Sequence, residues 1–159
     1  MEHIQVENPT SDDVTALLAR HHAFAHAQSP PEAVHALDVT GLLDSRITLY
    51  GLRRDSVLLG LGALKQTSPR EVEIKSMHVA EEARGRGVGK QILGRLLTEA
   101  RRRGATLINL ETGSTDAFLP ARSMYEAAGF TYCERFGDYP DHSFSTFMRL
   151  WLTEPPPNS

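Results

Sequence analysis

Three glycines at alternate positions, Gly85, Gly87 and Gly89, lie among basic residues in the run RGRGVGK, which extends from Arg84 through Arg86 and Val88 to Lys90. A helical pattern follows at once. Glycine tolerates φ > 0 and carries no side chain, so the main-chain N–H groups of such a loop can converge on an anion. The positive end of the helix dipole and the three basic side chains add potential of the same sign. A phosphate or diphosphate is the guest that suits this arrangement. Two phosphate-binding signatures do not fit. A P-loop needs GxxxxGK followed by Ser or Thr, and here Gln91 follows Lys90; a dinucleotide fingerprint needs GxGxxG, and this loop reads GxGxG. What remains is RxxGxG, with Arg84, Gly87 and Gly89 at the fixed positions. A plain turn before a helix would also satisfy that pattern.

A second spacing with chemical potential is the pair His22 and His26, four apart on a predicted helix, where both rings could face one metal ion. No further ligand stands beside them, and seven histidines in the chain make such a pair unsurprising, so no metal is expected.

The elements that must position the loop follow from periodicity. His3 to Val6 reads as a short strand. Val14, Leu17, Leu18, His21 and Ala25 recur at helical spacing after Ser11. Pro30 and Pro31 stop that helix, and Glu32 to Leu43 reads as a second one. Ile47 to Leu52 and Val57 to Leu64 predict a hairpin turning at Arg53 to Ser56, with a third strand from Glu71 to Ala80. In this third strand Val72 and Ile74 alternate on one parity and Met77 and Val79 on the other. A β-bulge near Lys75 and Ser76 would return all four to one face; a strand buried on both faces is the other reading. After the loop, Ile92, Leu93, Leu96, Leu97 and Ala100 form a helical stripe that ends at Gly104, and Leu107 to Thr112 is a strand. Strand, loop, helix, strand is a crossover unit, so its two strands should be parallel. A further helix lies between Asp116 and Ala128, with Pro120 in its first turn and Gly129 closing it. Phe130 to Arg135 and Phe144 to Leu150 read as the last strands.

At 159 residues, 40% of them hydrophobic and 23% charged, the chain reads as one globular domain, residues 1–152, with a loose proline-rich tail over 153–159. A net charge of −3 argues against a nucleic-acid ligand. The single cysteine, Cys133, makes no internal disulfide, and the start MEHIQVENP lacks the pattern of a secretion signal, so a cytoplasmic location is expected. No apolar run approaches the roughly 20 residues that span a bilayer, so no membrane partner is expected.

The succession of strand, RxxGxG loop, amphipathic helix and strand resembles the coenzyme A signature of the GNAT superfamily of N-acetyltransferases. The later AxxxYxxxGF, Ala121 to Phe130, is similar to that family's second signature. HALDV at His35, EIKSM at Glu73, LETGS at Leu110 and FGDY at Phe136 resemble a bacterial subgroup of the same family. The resemblance covers nearly all of the chain before the tail. One position departs from it: many relatives carry Asn seven residues before the tyrosine, where this chain has Phe118.

The resemblance implies an α/β (α+β) fold with a mixed, mostly antiparallel sheet of six or seven strands, about four flanking helices and a splayed parallel strand pair. It implies acetyl-CoA as co-substrate, its diphosphate on Arg84 to Lys90 and its pantetheine arm paired with the main chain of Met77, His78 and Val79. A backbone N–H near His78 would then face the developing oxyanion. Tyr125 matches the family tyrosine that protonates the departing thiolate, and a phenol is protonated at neutral pH. Without the motif it would read as a packing residue. Glu73 coincides with a position that supplies a base in several relatives; Glu111 and His78 compete with it, and an amine that arrives deprotonated needs no base. His21 and Phe24 from the first helix, with Glu111, Thr112, Asp138 and Tyr139 opposite, are the candidate acceptor contacts. The implied acceptor is an amine of a small molecule, an amino acid or a peptide. A non-catalytic acyl-CoA-binding sensor or interaction module is the rival reading, and the family also allows a homodimer.

Overall fold

The computed structural model describes residues 1–30, 38–137, 139–140 and 142–153. Seven strands form one sheet in the order β1-β2-β3-β4-β5-β7-β6. In chain order these are β1 (Glu2–Val6), α1 (Asp12–Gln28), α2 (Val39–Leu42), β2 (Ile47–Arg54), β3 (Val57–Ser68) and β4 (Glu71–Val79). There follow α3 (Val88–Arg102), β5 (Leu107–Gly113), α4 (Leu119–Ala127), β6 (Thr131–Cys133) and β7 (Ser145–Trp151). Single 3-10 turns precede α3 and α4, at Glu81–Ala83 and Asp116–Phe118. Most of the predicted second helix, and the tail beyond residue 153, fall outside the described residues. Its described end is the single turn of α2, where the Asp38 carboxylate caps the Gly41 N–H at 2.8 Å.

The β4–β5 pair is parallel, as a crossover through α3 requires, and the other pairs are antiparallel. The bulge inferred from the change of phase is present. Leu61 pairs with His78 and Ala63 with Lys75, so Ser76 and Met77 together oppose Gly62. Ser76 takes φ +56°, a left-handed conformation uncommon for a residue with a side chain. The two parities are thereby joined. Met77 reaches the helix α3 side of the sheet, and His78 points to the opposite face, where it meets His21 of α1.

α3 packs closely because β3 offers glycine where the helix crosses it. A Cβ on Gly60 would stand 2.9 Å from both Ile92 and Val88, and one on Gly62 would stand 2.7 Å from Ile92 and 2.6 Å from Met77. Against these strands the helix buries Val88, Ile92, Leu93, Leu96 and Ala100. Each large side chain so buried stabilises the fold by about 1.5–3 kcal/mol. The helix stops at Gly104, at φ +78°, with the Ala105 N–H bonded to the Ala100 carbonyl at 3.0 Å. On the other face, Arg53 of β2 fixes the start of α1. Its guanidinium donates to both oxygens of buried Glu7, at 2.8 and 2.9 Å, and to Asp13 in the first turn of α1 at 2.7 Å.

Two substitutions of one chemical type are expected to act in opposite directions. Gly62→Ala overpacks the β3–α3 contact and should cost about 1–3 kcal/mol. Gly94→Ala places a methyl where nothing lies within 4 Å on the exposed side of α3, and should gain about 0.5–1 kcal/mol. Thermal melts read both, at about 2–4 °C per kcal/mol for a chain of this size.

Candidate active site

β4 and β5 are paired from Glu71↔Leu107 to Ile74↔Leu110 and no further. The bulge begins two residues on, and past it β4 runs with β3 alone. The Ala80 N–H bonds to the Leu59 carbonyl at 2.8 Å. By strand alternation, the polar main-chain groups of Val79 turn the other way, toward the edge that β5 has left. A cleft of about 630 Å3 opens there, walled by β4, β5, α1, α4 and the loop before α3. No ordinary sheet offers such a space between neighbouring strands.

At one end of the cleft lies the glycine loop. Gly85 and Gly87 hold φ of +81° and +76°, and a Cβ at either would meet nothing within 4 Å. Their need for glycine is conformational, and the space above them is open. The first hydrogen bond of α3 runs from Gln91 N–H to the Gly87 carbonyl. The amides of Val88, Gly89 and Lys90 therefore have no acceptor within the helix, which is the geometry that receives an anion. Gly89 is also where α3, β4 and α4 meet: a Cβ there would lie 3.2 Å from the Met124 sulfur and 3.4 Å from Val79. Arg84, Gly85, Gly87, Val88, Gly89 and Lys90 line the cleft; Arg86 is exposed and does not.

Tyr125 projects from α4 into the wall and is 4% exposed. Burial, with the Glu111 carboxylate adding to it, pushes its phenol above the usual range, so it stays protonated through any working pH. Glu111 is the first β5 residue past the last position paired with β4. Burial raises its carboxyl to about 7; Ser145 and Lys75 oppose the rise and Glu73 adds to it.

Glu73 lies one position inside the paired segment and does not line this cleft. Its Oε2 accepts from the Tyr139 hydroxyl at 2.5 Å and lies 3.2 Å from the Lys75 ammonium, which itself donates to the Tyr139 hydroxyl at 2.5 Å. This triad divides the cleft from a second, more polar cavity of about 610 Å3. Tyr139, raised above the ordinary phenol range by burial and by Glu73, remains a donor. The sequence reading named Lys75 for the bulge and not for the site. Its alternation with Glu73 put it on the same face, but its partner is 64 residues away in sequence.

His21, Phe24, Met77, His78, Val79, Thr112 and Tyr139 are also on the cleft wall, as is Phe118; Asp138 lies outside the described residues. The Nδ1 atoms of His21 and His78 stand 3.2 Å apart. Burial lowers both rings, to about 3 and about 4; His78 adds to the effect on His21, and Arg84 to that on His78. Both are neutral at physiological pH. Among the described residues, no three His, Cys, Asp or Glu side chains gather as a metal site, and no helix is long and apolar enough to cross a membrane.

Residues 12–130 match the model of the acetyltransferase (GNAT) family. The uncharacterised N-acetyltransferase YsnE of Bacillus subtilis (strain 168) is 40% identical over 146 residues, which cover 92% of this chain and 97% of YsnE. Among solved structures, a Klebsiella pneumoniae protein described as an acyl-CoA N-acyltransferase is similar with a TM-score of 0.81 at 25% identity, covering 96% of this chain and 99% of that one. A Bacillus subtilis acetyltransferase in complex with CoA shares the fold, with a TM-score of 0.72 at 22% identity over 96% of this chain and 100% of its own. The overall fold is thus shared with these proteins, and the chain belongs to the GNAT family as an acetyl-CoA-dependent N-acetyltransferase.

Proposed function

We propose that the chain transfers the acetyl group to a primary amine of a small molecule, an amino acid or a peptide by direct attack, with both substrates bound at once. One observation carries this reading: a carboxyl raised by burial to about 7 and a buried phenol that is protonated at neutral pH, Glu111 and Tyr125, share the wall of the cleft that the glycine loop opens into. The open amides of Val88, Gly89 and Lys90 suit the diphosphate of coenzyme A, and the main chain from Met77 to Val79 suits its pantetheine arm. Bound there, the coenzyme supplies an activated acetyl thioester.

The residues of the chain then have separate tasks. Glu111 in its ionised form draws the acceptor's ammonium and takes its proton, leaving a neutral nitrogen lone pair for the carbonyl carbon. An amide of the Met77–Val79 segment faces the carbonyl oxygen as negative charge grows on it. As the carbon–nitrogen bond forms and the carbon–sulfur bond breaks, Tyr125 gives its hydroxyl proton to the sulfur, the nitrogen sheds its second proton through water to the Tyr125 oxygen as it becomes an amide, and Glu111 returns its proton to solvent, so that free thiol and acetylated amine result. Glu73, bound to Lys75 and Tyr139, is less suited to the base role than Glu111. The rival reading, a sensor that binds acyl-CoA without turnover, leaves the pairing of Tyr125 with Glu111 without a task. Amine-dependent release of thiol from acetyl-CoA separates the two, since a sensor releases none.

Tyr125→Phe should lower kcat by about 10²-fold or more while acetyl-CoA affinity changes little, measured by thiol release and by isothermal titration. Wild-type kcat/KM should rise with pH through about 7 as Glu111 ionises, and Glu111→Gln should lose that rise. His21 and His78, the histidines of the cleft wall, titrate too low to supply it. Stability offers an independent check. The folded carboxyl titrates near 7 and an unfolded glutamate near 4.5, so between those values the native state binds more protons and stability falls as pH rises. Glu111→Gln should therefore match wild type in thermal melts near pH 4 and exceed it near pH 8.

A further inference from the structure

Lys75 and Glu111 are the first residues past the last paired position of β4 and β5, Ile74↔Leu110. Neighbouring strands lie about 5 Å apart, so a ladder carried one step further would set the two side by side. Both line the cleft, where ammonium and carboxylate are natural partners. Yet the ion pair that Lys75 makes runs along its own strand, to Glu73 at 3.2 Å, and its hydrogen bond goes to the Tyr139 hydroxyl at 2.5 Å. Tyr139 in turn donates to Glu73 at 2.5 Å. Glu73 lines the second cavity and not the cleft, while Lys75 and Tyr139 line both. The ammonium is thus drawn toward the second cavity. The side chains of Lys75 and Glu73 are 10% and 7% exposed, so little solvent screens what they do to a neighbour.

We infer that Glu73 and Tyr139 are positioning residues: they hold the Lys75 ammonium in the partition between the two cavities and keep it from pairing with Glu111. This rests on the reading above, that Glu111 is the base. Of the remaining groups on the elements around Glu111, α4 brings the neutral phenol of Tyr125 and the guanidinium of Arg122, which is bound to the Gly113 and Thr115 carbonyls at 2.7 and 2.9 Å. β7 brings Ser145 and the exposed Arg149, which lies over Trp151. His78 and His21 are neutral, and Arg84 and Lys90 belong to the glycine loop. Lys75 is therefore the cation whose place bears most on Glu111.

The test follows the Glu111 carboxyl carbon by NMR across pH, in protein isotope-labelled at glutamate, with Glu111→Gln to assign the signal. Wild type should show a midpoint of about 7. Glu73→Gln should lower it by about one pH unit or more, as the freed ammonium comes within reach of the carboxylate, and Lys75→Met should raise it. The signature of tethering is non-additive. Lys75→Met should raise the midpoint more in the Glu73→Gln background than in wild type, because the ammonium stands closer to Glu111 there. Equal rises in the two backgrounds mean that Lys75 does not move, and overturn the inference. A merely structural part for Glu73 would loosen the wall, admit water and lower the midpoint in both single variants, which overturns it equally. Lys75→Met has a sign of its own, so it decides alone should Glu73→Gln not fold. The titration needs neither coenzyme nor acceptor. A wild-type kcat/KM that lacks the rise near 7 removes Glu111 as the base without altering these shifts, and absent shifts overturn the tether while the base reading stands.

Discussion

The structure turns on a single break in register. Where Ser76 and Met77 oppose Gly62, β4 gains a residue relative to β3, and its pairing with β5 ends at Ile74 and Leu110. A parallel pair without that extra residue could continue its ladder and satisfy its own main chain. Here Val79 presents unpaired polar groups to a gap, and a gap edged by unpaired main chain is a place for something that can form hydrogen bonds. The left-handed Ser76 is the local cost, on the order of 1 kcal/mol, held in place by the strand pairing on either side of it.

The same segment also sets where the helix dipole points. α3 can reach β3 only because Gly60 and Gly62 leave room for Val88 and Ile92, and that close approach brings the first turn of the helix beside Val79 and Met124. The anion-receiving amides and the open strand edge are therefore two ends of one packing arrangement. Moving the helix outward by the width of a methyl group would shift the loop relative to the gap, so the glycines of β3 support function without touching any ligand.

Much of this was legible in the sequence because it is written in local patterns. The opposed parities of Val72–Ile74 and Met77–Val79 located the bulge to within a residue, and RxxGxG with the stripe after it located the loop and α3. The parallel pair followed from the crossover. What could not be read was the partnership of side chains distant in sequence. Glu73 and Glu111 face the same side of the sheet, and both are glutamates on adjacent strands. What separates them is the last paired position, Ile74↔Leu110, which leaves one inside the zipped ladder and the other beyond it. Register of that kind depends on the three-dimensional closure of the sheet, as does the contact between Lys75 and Tyr139. Phe118 was visible as a departure from the family pattern, but its role as a wall depends on the bare Cα of Gly113 beneath it.

The charges in this corner have a logic that follows from the triad. An ammonium as close to Glu111 as Lys75 is to Glu73 would pull the carboxyl down into the ordinary range or below it, and a carboxylate of that strength is a poor base at neutral pH. Lys75 is instead held by Glu73 and by the Tyr139 hydroxyl, so its influence on Glu111 does not outweigh burial, and the carboxyl stays near 7. Glu73 can thus matter to the chemistry without meeting a substrate, by keeping a neighbouring cation occupied. Tyr139 completes the arrangement as a neutral donor between them, and its place on the loop before β7 makes the two cavities share a wall that carries no unmatched charge.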